Sequence, residues 1–589
     1  MLTETTARAD EQVADVYAQP DFLDHLDDWM EYLTALLAQT ADKRTRTKYE
    51  RQIRYLLQFR CGVNANIGHN KLLWHYYSTP AIGYVEDIHL PGERPIEQPA
   101  ATNGFVPDGP VQACYLSDTY AFKQVMKALA VEDLFFLQGP PGTGKTTAIV
   151  ELVLQTLHHH PSARILITSE THMAVDNALD RLTMHLSEAQ MAGVLRYPKF
   201  VATELENPAA ARVQAHARAN SLWSHAHSAA PGLTMQLWQR LPRGFPKDDG
   251  SESLPRWMNR SLADQHQIIG ATCNQIDHLI DADSELFDLA IVDECSKATL
   301  PEWLMALTVA HKCVLVGDHK QLPPTFCEEE SQALSTLSRQ QERLIRNGVI
   351  ERLFEHLPGS MKGRLNKQYR MLPHIGAFIS DLFYGGTLEH HRQQGSGPFA
   401  DFGWLTYQAP GYQVPAQSKG EDTVLINQLE IEIIQTRLRG MHQQLQSLKV
   451  ETRLTVAVIT PYRAQCQELK RVLPVKEWGK YLAIEIDTVD AFQGRQADIV
   501  FFSFVRTVGP ATFYADDRRL NVAISRARDC VYLVGDIRYI GGKRLPALQK
   551  LAQLPVVHLH QLSDKTPVKH SASGNDCSAR GKRSRMSSL

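Results

Sequence analysis

Lys145 and Thr146 close a glycine-rich run, Gly139-Pro140-Pro141-Gly142-Thr143-Gly144, that follows the apolar stretch Leu134-Phe135-Phe136-Leu137 and precedes the periodic Ala148-Ile149-Val150-Glu151-Leu152-Val153-Leu154. Strand, loop and helix in that order turn backbone N–H groups and the positive end of a helix dipole toward one point, a geometry that holds phosphate oxygens. Gly139, Gly142 and Gly144 let the backbone approach. Lys145 can reach the outer phosphates of a nucleoside triphosphate, and the Thr146 hydroxyl can ligate Mg²⁺. Hydrolysis also needs a metal anchor and a way to position water. Phe287-Asp288-Leu289-Ala290-Ile291-Val292-Asp293-Glu294 is an apolar strand ending in two carboxylates, which puts Asp293 in the Mg²⁺ shell and Glu294 beside the attacking water. Gln321, in Gly317-Asp318-His319-Lys320-Gln321-Leu322-Pro323-Pro324, is a neutral amide on a strand-end loop, able to read the γ-phosphate or orient water. These residues predict a nucleoside triphosphate site with Mg²⁺.

The elements around them form an α/β chain. Strands are expected at Ile165–Thr168, Leu289–Val292 and Val314–Val316, each followed by loop or helix signals. An alanine-rich, helical insert is expected over about 185–265, with Trp223, Trp238 and Trp257 among Arg212, Arg218, Arg240, Arg243 and Arg260. From about 363 a second α/β block echoes the first. Ile167-Thr168-Ser169 before a helix is matched by Ile459-Thr460-Pro461-Tyr462-Arg463, and the run Cys313 to Asp318 by Cys530 to Asp536. The same order in each block suggests a duplicated nucleotide-binding architecture.

Ahead of the motor, apolar positions Phe22, Leu26, Trp29, Leu33 and Leu36, then Tyr49, Ile53, Leu56 and Leu57, recur at three and four. They predict two amphipathic helices around a basic hinge, Lys43-Arg44-Thr45-Arg46. Residues 70–115 suggest a small β element, and 562–589, rich in Ser, Lys and Arg, a disordered basic tail. The expected domains are thus a helical region with the small β element over 1–115, a first α/β domain over 116–362 that holds the nucleotide, a second α/β domain over 363–561, and the tail over 562–589.

A length of 589 residues exceeds a single core. With 43% apolar and 22% charged residues the composition is that of a globular protein, and a net charge of −3 means that a polyanion must meet a local basic channel. Met1-Leu2-Thr3-Glu4-Thr5-Thr6 lacks the pattern of a signal peptide, and no run has the roughly 18 apolar residues of a membrane span. A cytoplasmic protein with no membrane partner is expected. Nine scattered cysteines without a CxxC pair argue against a zinc module, an iron–sulfur cluster or a disulfide framework.

The order of the motifs resembles superfamily 1 helicases, in the branch of the nonsense-mediated-decay helicase and the Senataxin-like helicases. The resemblance rests on GPPGTGKT (139–146), AVDNALDRL (174–182), VDECS (292–296), GDHKQLPPT (317–325), NKQYRMLPHI (366–375), ITPYRAQ (459–465), DTVDAFQG (487–494) and RRLNVAISRAR (518–528). It implies two tandem RecA-like domains, parallel sheets flanked by helices, with ATP in the cleft between them and single-stranded RNA or DNA across their tops. By the same resemblance Tyr369 stacks on the base, Arg370 and Arg526 act as arginine fingers, and Gln496 can hydrogen-bond a ribose. Thr171, His172, Thr460, Tyr462 and Thr488 would hold the strand, while Asp490, Gln493 and Gly494 would couple the second domain to the nucleotide. A guanidinium supplied from a facing domain makes hydrolysis depend on closure.

The departures are specific. The family's adenine-reading glutamine has no counterpart around Leu116-Ser117-Asp118-Thr119-Tyr120, although Gln124 is near; Gln496 replaces an acid; Cys295 and Lys297 replace alanine and glutamine; His172 replaces asparagine. The expected activity is a nucleic-acid-dependent ATPase that translocates on single strands and unwinds duplexes, 5′ to 3′. The alternatives are a ribonucleoprotein remodeller or a nucleic-acid-clamping switch subunit of a larger assembly. The N-terminal helices or the insert could dock a protein partner.

Overall fold

The computed structural model describes residues 21–60, 112–229, 256–279, 286–407 and 416–557, with short interruptions at 132–133, 200, 202–204, 348–349, 352–353, 355–356, 420–421, 451 and 493. The expected β element within 70–115 and the basic tail lie outside the described residues, apart from 112–115, which are irregular. So do Trp238, Arg240 and Arg243 of the insert, the side chains of Trp223 and Trp257, and Gln493.

Two helices, α1 (Asp21–Gln39) and α2 (Lys43–Arg60), come first. Most of their apolar stripe is buried: Leu26, Trp29, Leu33, Leu36, Tyr49 and Leu56 are each at most 3% exposed, whereas Leu57, expected in the stripe, is 45% exposed and the Phe22 side chain lies outside the described residues. The basic run is not the hinge. Lys43–Arg46 forms the first turn of α2, and the turn between the helices ends at Asp42, whose carboxylate accepts from the Thr45 N–H at 2.8 Å and the Thr45 hydroxyl at 2.7 Å. An acidic residue at a helix start opposes the positive end of the dipole, which offsets the cations placed there. The pair packs on the α/β block. Tyr49 donates to Glu330 Oε1 at 3.1 Å, Tyr32 donates to the Glu330 carbonyl at 3.0 Å, and Arg51 pairs with Asp277 at 3.0 Å.

The first sheet begins after α3 (Thr119–Ala130) with β1 (Leu134–Gln138). The chain then runs through α4 (Lys145–His159), β2 (Ile165–Ser169), α5 (His172–Thr183), β3 (Val194–Arg196), α6 (Ala215–Ala229), α7 (Arg256–Gln265), β4 (Ile268–Thr272), β5 (Phe287–Asp293), α8 (Leu300–Leu307), β6 (Ala310–Gly317) and β7 (Lys362–Arg364). All its ladders are parallel, in the order β3-β4-β2-β5-β6-β1-β7. The insert is therefore not wholly helical, because it supplies the edge strand β3. The sheet also runs past residue 362, since Lys362, Gly363 and Arg364 pair with Phe136, Leu137 and Gln138.

The second sheet uses β8 (Phe402–Thr406), β9 (Leu454–Thr460), β10 (Leu482–Thr488), β11 (Ala497–Ser503) and β12 (Ala527–Gly535), again all parallel, in the order β8-β12-β11-β9-β10. Helices α9 (Pro373–Phe383), α10 (Gln428–Leu448), α11 (Arg463–Val472) and α12 (Arg518–Ile524) flank it. Taking β1 with β8, β2 with β9, β4 with β10, β5 with β11 and β6 with β12, five strands in each sheet follow one permutation. The two sequence echoes fall on equivalent strands. The fold is two tandem RecA-like domains, each a parallel sheet between helical layers.

Alternation builds the cores on both faces, as buried parallel strands require. In β1, Leu134 and Phe136 face one core while Phe135 and Leu137 face the other. In the second sheet Trp404 is fully buried, stacks on Phe504 at 5.1 Å, and donates its indole N–H to the Leu551 carbonyl at 2.7 Å. Trp404→Ala should therefore cost about 3–5 kcal/mol and leave a carbonyl unpaired, read as a fall in the urea midpoint of the second domain.

Candidate functional site

The ends of β1, β5 and β6 meet at one cavity of about 930 Å³, large enough for a nucleotide by the usual size of ligand pockets, about 300–1,000 Å³. Its floor is the glycine loop. Gly144 is the N-cap of α4 in a left-handed conformation and makes no side-chain cap bond, so the first N–H groups of the helix open into the cavity. Gly142 has φ +74°, and a Cβ there would lie 2.6 Å from Cβ of Arg370, so a residue of the second domain rests directly on the loop. The Tyr369 N–H donates to the Gly142 carbonyl at 2.8 Å and seals this contact.

Lys145 folds over the loop and donates to the Gly139 carbonyl at 2.7 Å. Burial lowers its pKa, and the carboxylates of Asp318, Asp293 and Glu294 work against that shift. Asp293 ends β5 facing the cavity; burial, with Glu294 beside it, pushes its pKa up to about 7. At Glu294 the chain turns sharply, with φ +49°, a conformation that costs a non-glycine residue about 1–3 kcal/mol and tends to occur at functional sites. The turn aims its carboxylate along the cavity wall, where Lys297 approaches to 3.8 Å and Gly494 of the second domain lies alongside.

The second domain supplies cations. Arg370 donates to Gln496 at 3.2 Å and to the Ser525 carbonyl at 3.0 Å, and its pKa is lowered to about 9 by burial, then by Arg526 and Arg528. Arg526 donates to the Gln321 amide oxygen at 3.0 Å, and burial lowers its pKa to about 10. An ammonium and two guanidiniums converge beside Asp293 with the Thr146 hydroxyl, a donor set that fits a triphosphate and its Mg²⁺. At the outer end Tyr369 is 38% exposed, and its hydroxyl donates to Asp118 at 2.8 Å. Gln124 packs instead against Gly363 and is not among the lining residues.

The residues expected to hold a strand scatter differently. Thr171 lines the cavity as N-cap of α5, accepting from the Ala174 N–H at 3.3 Å. His172 faces Arg196 at 3.2 Å; burial and that cation lower its pKa and keep the imidazole neutral. Thr460 and Thr488 are register partners at the ends of β9 and β10. Thr460 is fully buried, so its hydroxyl is not presented to a strand, and the Tyr462 hydroxyl accepts from Arg506 at 2.8 Å. Asp490 and Gly494 reach the cavity.

Sequence reasoning passed over Glu151. It is the lone charge on the apolar stretch of α4, fully buried, and its carboxylate accepts the backbone N–H groups of Cys114, Tyr115 and Leu116 at 2.7, 2.6 and 2.8 Å. This binds the loop helix to the segment walling the outer cavity. A charge inside an otherwise apolar helix was the available signal.

Two family models, both described as AAA domain, match residues 118–231 with 247–329 and residues 345–538, together about two thirds of the chain. The chain is 29% identical over 449 residues to the DNA-binding protein SMUBP-2 of Rattus norvegicus, covering 69% of this chain and 42% of that one. It is 28% identical over 454 residues to the Regulator of nonsense transcripts 1 homolog of Drosophila melanogaster, covering 73% and 35%. An Arterivirus nonstructural protein 10 helicase solved with DNA matches at 14% identity and a TM-score of 0.34, covering 74% of this chain and 65% of that one. The fold and the site define a P-loop NTPase with two RecA-like domains. The chain belongs to the superfamily 1 helicases, in the branch of the nonsense-mediated-decay helicase. It spans about two fifths of the length of the curated relatives named here. Among the described residues no helix is long and apolar enough to cross a membrane, and no group of His, Cys, Asp and Glu could hold a metal as a cluster of three.

Glu151→Ala should leave three partly buried N–H groups without their acceptor and cost about 1–3 kcal/mol. Glu151→Gln, which keeps an acceptor, should lose less; chemical denaturation of the pair gives the comparison.

Proposed function

We propose that the protein is a nucleic-acid-dependent ATPase that moves along single-stranded RNA or DNA and unwinds duplexes, 5′ to 3′ as in the branch it belongs to. The observation that carries this reading is the convergence of Arg370 and Arg526 on the cavity that holds Lys145 and Asp293. Two cations from the second domain meet a phosphate loop of the first. Turnover then requires the domains to close, and closure can be converted into movement along a strand.

Gly139, Gly142, Gly144 and Lys145 would hold the phosphates, with Tyr369 against the base and Gln496 near the ribose. Thr146 and Asp293 would hold Mg²⁺, which would neutralise charge on the phosphates. Glu294 would orient the attacking water and accept its proton. Gln321 would sit by the γ-phosphate. Arg370 and Arg526 would stabilise the charge that develops on it. Thr171 and Thr488 would meet strand phosphates.

Steady-state hydrolysis by the full chain alone, with single-stranded RNA and with single-stranded DNA tests this. Stimulation by at least one polymer, abolished in Lys145→Ala, is expected. Arg526→Ala should lower kcat by about 10³, the low end for an arginine finger. Hydrolysis indifferent to both polymers would instead leave an ATP-driven switch, and strand displacement on tailed duplexes separates unwinding from protein remodelling.

A further inference from the structure

The cleft contains a second connection between the domains that reaches no nucleotide. Its centre is Asp318, 2% exposed, directly after β6. The carboxylate is fully engaged. Oδ1 accepts from Gln138 at 3.2 Å and from the Lys320 N–H at 3.2 Å, and Oδ2 accepts from the Gln321 side-chain amide at 2.7 Å and from the Tyr384 hydroxyl at 2.6 Å. Gln138 and Gln321 are first-domain residues. Tyr384 belongs to the second.

Tyr384 is fixed from its own side. It is the C-cap of α9, the helix that starts three residues after Arg370, and its ring lies in the second-domain core with Met371, Ile375 and Ile379. Its oxygen accepts from the Asn521 side-chain amide at 2.8 Å, and the same amide donates to the Lys320 carbonyl at 2.7 Å. Burial and the adjacent Asp318 raise the phenol pKa well above its usual value, so the group is a neutral donor. Leu322, the neighbour of Gln321, is buried in that same second-domain core. The Gln321 loop is thus held at both ends by the facing domain: Arg526 grips the amide oxygen of Gln321, and the acceptor of its amide N–H is itself gripped by Tyr384.

We infer that Tyr384 is a positioning residue for hydrolysis: by donating to Asp318 across the closed cleft, it fixes the carboxylate that orients Gln321 at the γ-phosphate end of the cavity. The inference rests on the ATPase reading above. With the cleft open, Asp318 loses its partner from the second domain and Gln321 loses both its orienting acceptor's anchor and Arg526. A short charge-assisted O–H···O⁻ bond in a dry site is among the stronger hydrogen bonds and has a defined direction, which suits it to placing a side chain. Because the effect passes through Gln321, removing the hydroxyl should matter only while Gln321 is present.

The test is a double-mutant cycle on the full chain with saturating polymer: wild type, Tyr384→Phe, Gln321→Ala and the double variant, with kcat and KM for ATP measured for each. Tyr384→Phe should lower kcat by about tenfold with KM for ATP changed less than about twofold, the signature of an interaction realised during turnover. In the Gln321→Ala background the same substitution should cost less than about twofold. Asp318→Asn, which keeps the shape but lets the amide present a donor to Gln321 or Tyr384, should reproduce the kcat loss and replaces Tyr384→Phe in the cycle if that variant is unfolded. Wild-type kcat in Tyr384→Phe, or losses that multiply in the double variant, would overturn the inference. A wild-type chain without polymer-stimulated hydrolysis overturns the parent reading, a result distinct from loss of coupling in an active wild type.

Discussion

The cleft gathers Lys145, Arg370 and Arg526 around one cavity, with Arg526 buried and the other two half-buried. Removing a cation from water costs several kcal/mol even after relaxation, and three together repel. The lowered pKa values of all three are the visible sign of that cost. Asp293, next to Glu294, shows the mirror image, with its carboxyl raised by burial. A polyphosphate with its divalent ion supplies both missing charges at once. On the proposed reading, closure would be favourable with nucleotide and costly without it, and this difference is what the two domains would transmit to a bound strand.

The duplicated sheets explain why the charges divide as they do. The first sheet lines the cavity from the carboxyl ends of β1, β5 and β6, whereas the second reaches it from the amino ends of β11 and β12, where Gln496 and Arg526 sit. In the first domain the loop after β1 is the glycine run that opens α4. In the second, the sequence that follows Thr406 at the end of β8, Tyr407-Gln408-Ala409-Pro410, has no such run, and the domain instead offers the cavity Arg370, in the bend before α9, and Arg526, in the turn between α12 and β12.

What was legible in the sequence was whatever is local. The glycine loop, the strand ending in Asp293-Glu294 and the paired strand-to-loop echoes are set by neighbours along the chain, and the structure brings the first two together. Pairings distant in sequence were not legible. Tyr384 and Asp318 are far apart in the chain, and nothing about a tyrosine after an amphipathic helix indicates which carboxylate it meets. The basic run at Lys43–Arg46 looked like a hinge because its charges break the apolar pattern, yet Asp42 starts the helix just before it. The insert looked helical because its alanine-rich stretch dominates, whereas Val194-Leu195-Arg196 is too short to announce a strand and pairs only because β4 offers a parallel edge. Thr460 matched a strand-gripping position by motif, but the end of β9 is covered in this arrangement.

The turn at Glu294 shows how a site-building strain is held by packing. A strand that simply continued past Asp293 would carry the next carboxylate away from the cavity. The left-handed turn redirects it, and the cost is carried by the following residues. The Cys295 N–H donates to the Val316 carbonyl at 3.0 Å, and the Lys297 N–H donates back to the Glu294 carbonyl at 2.9 Å. The crossing is close: a Cβ on Gly317 would stand 2.6 Å from the Cys295 sulfur and 3.1 Å from its nitrogen. Gly317 therefore secures the turn that aims Glu294, while the next residue, Asp318, aims Gln321. The end of β6 thus orders both a neutral and an acidic group, Gln321 and Glu294, along the cavity wall without lining it, which is why a short Gly-Asp pair bears on the whole cleft.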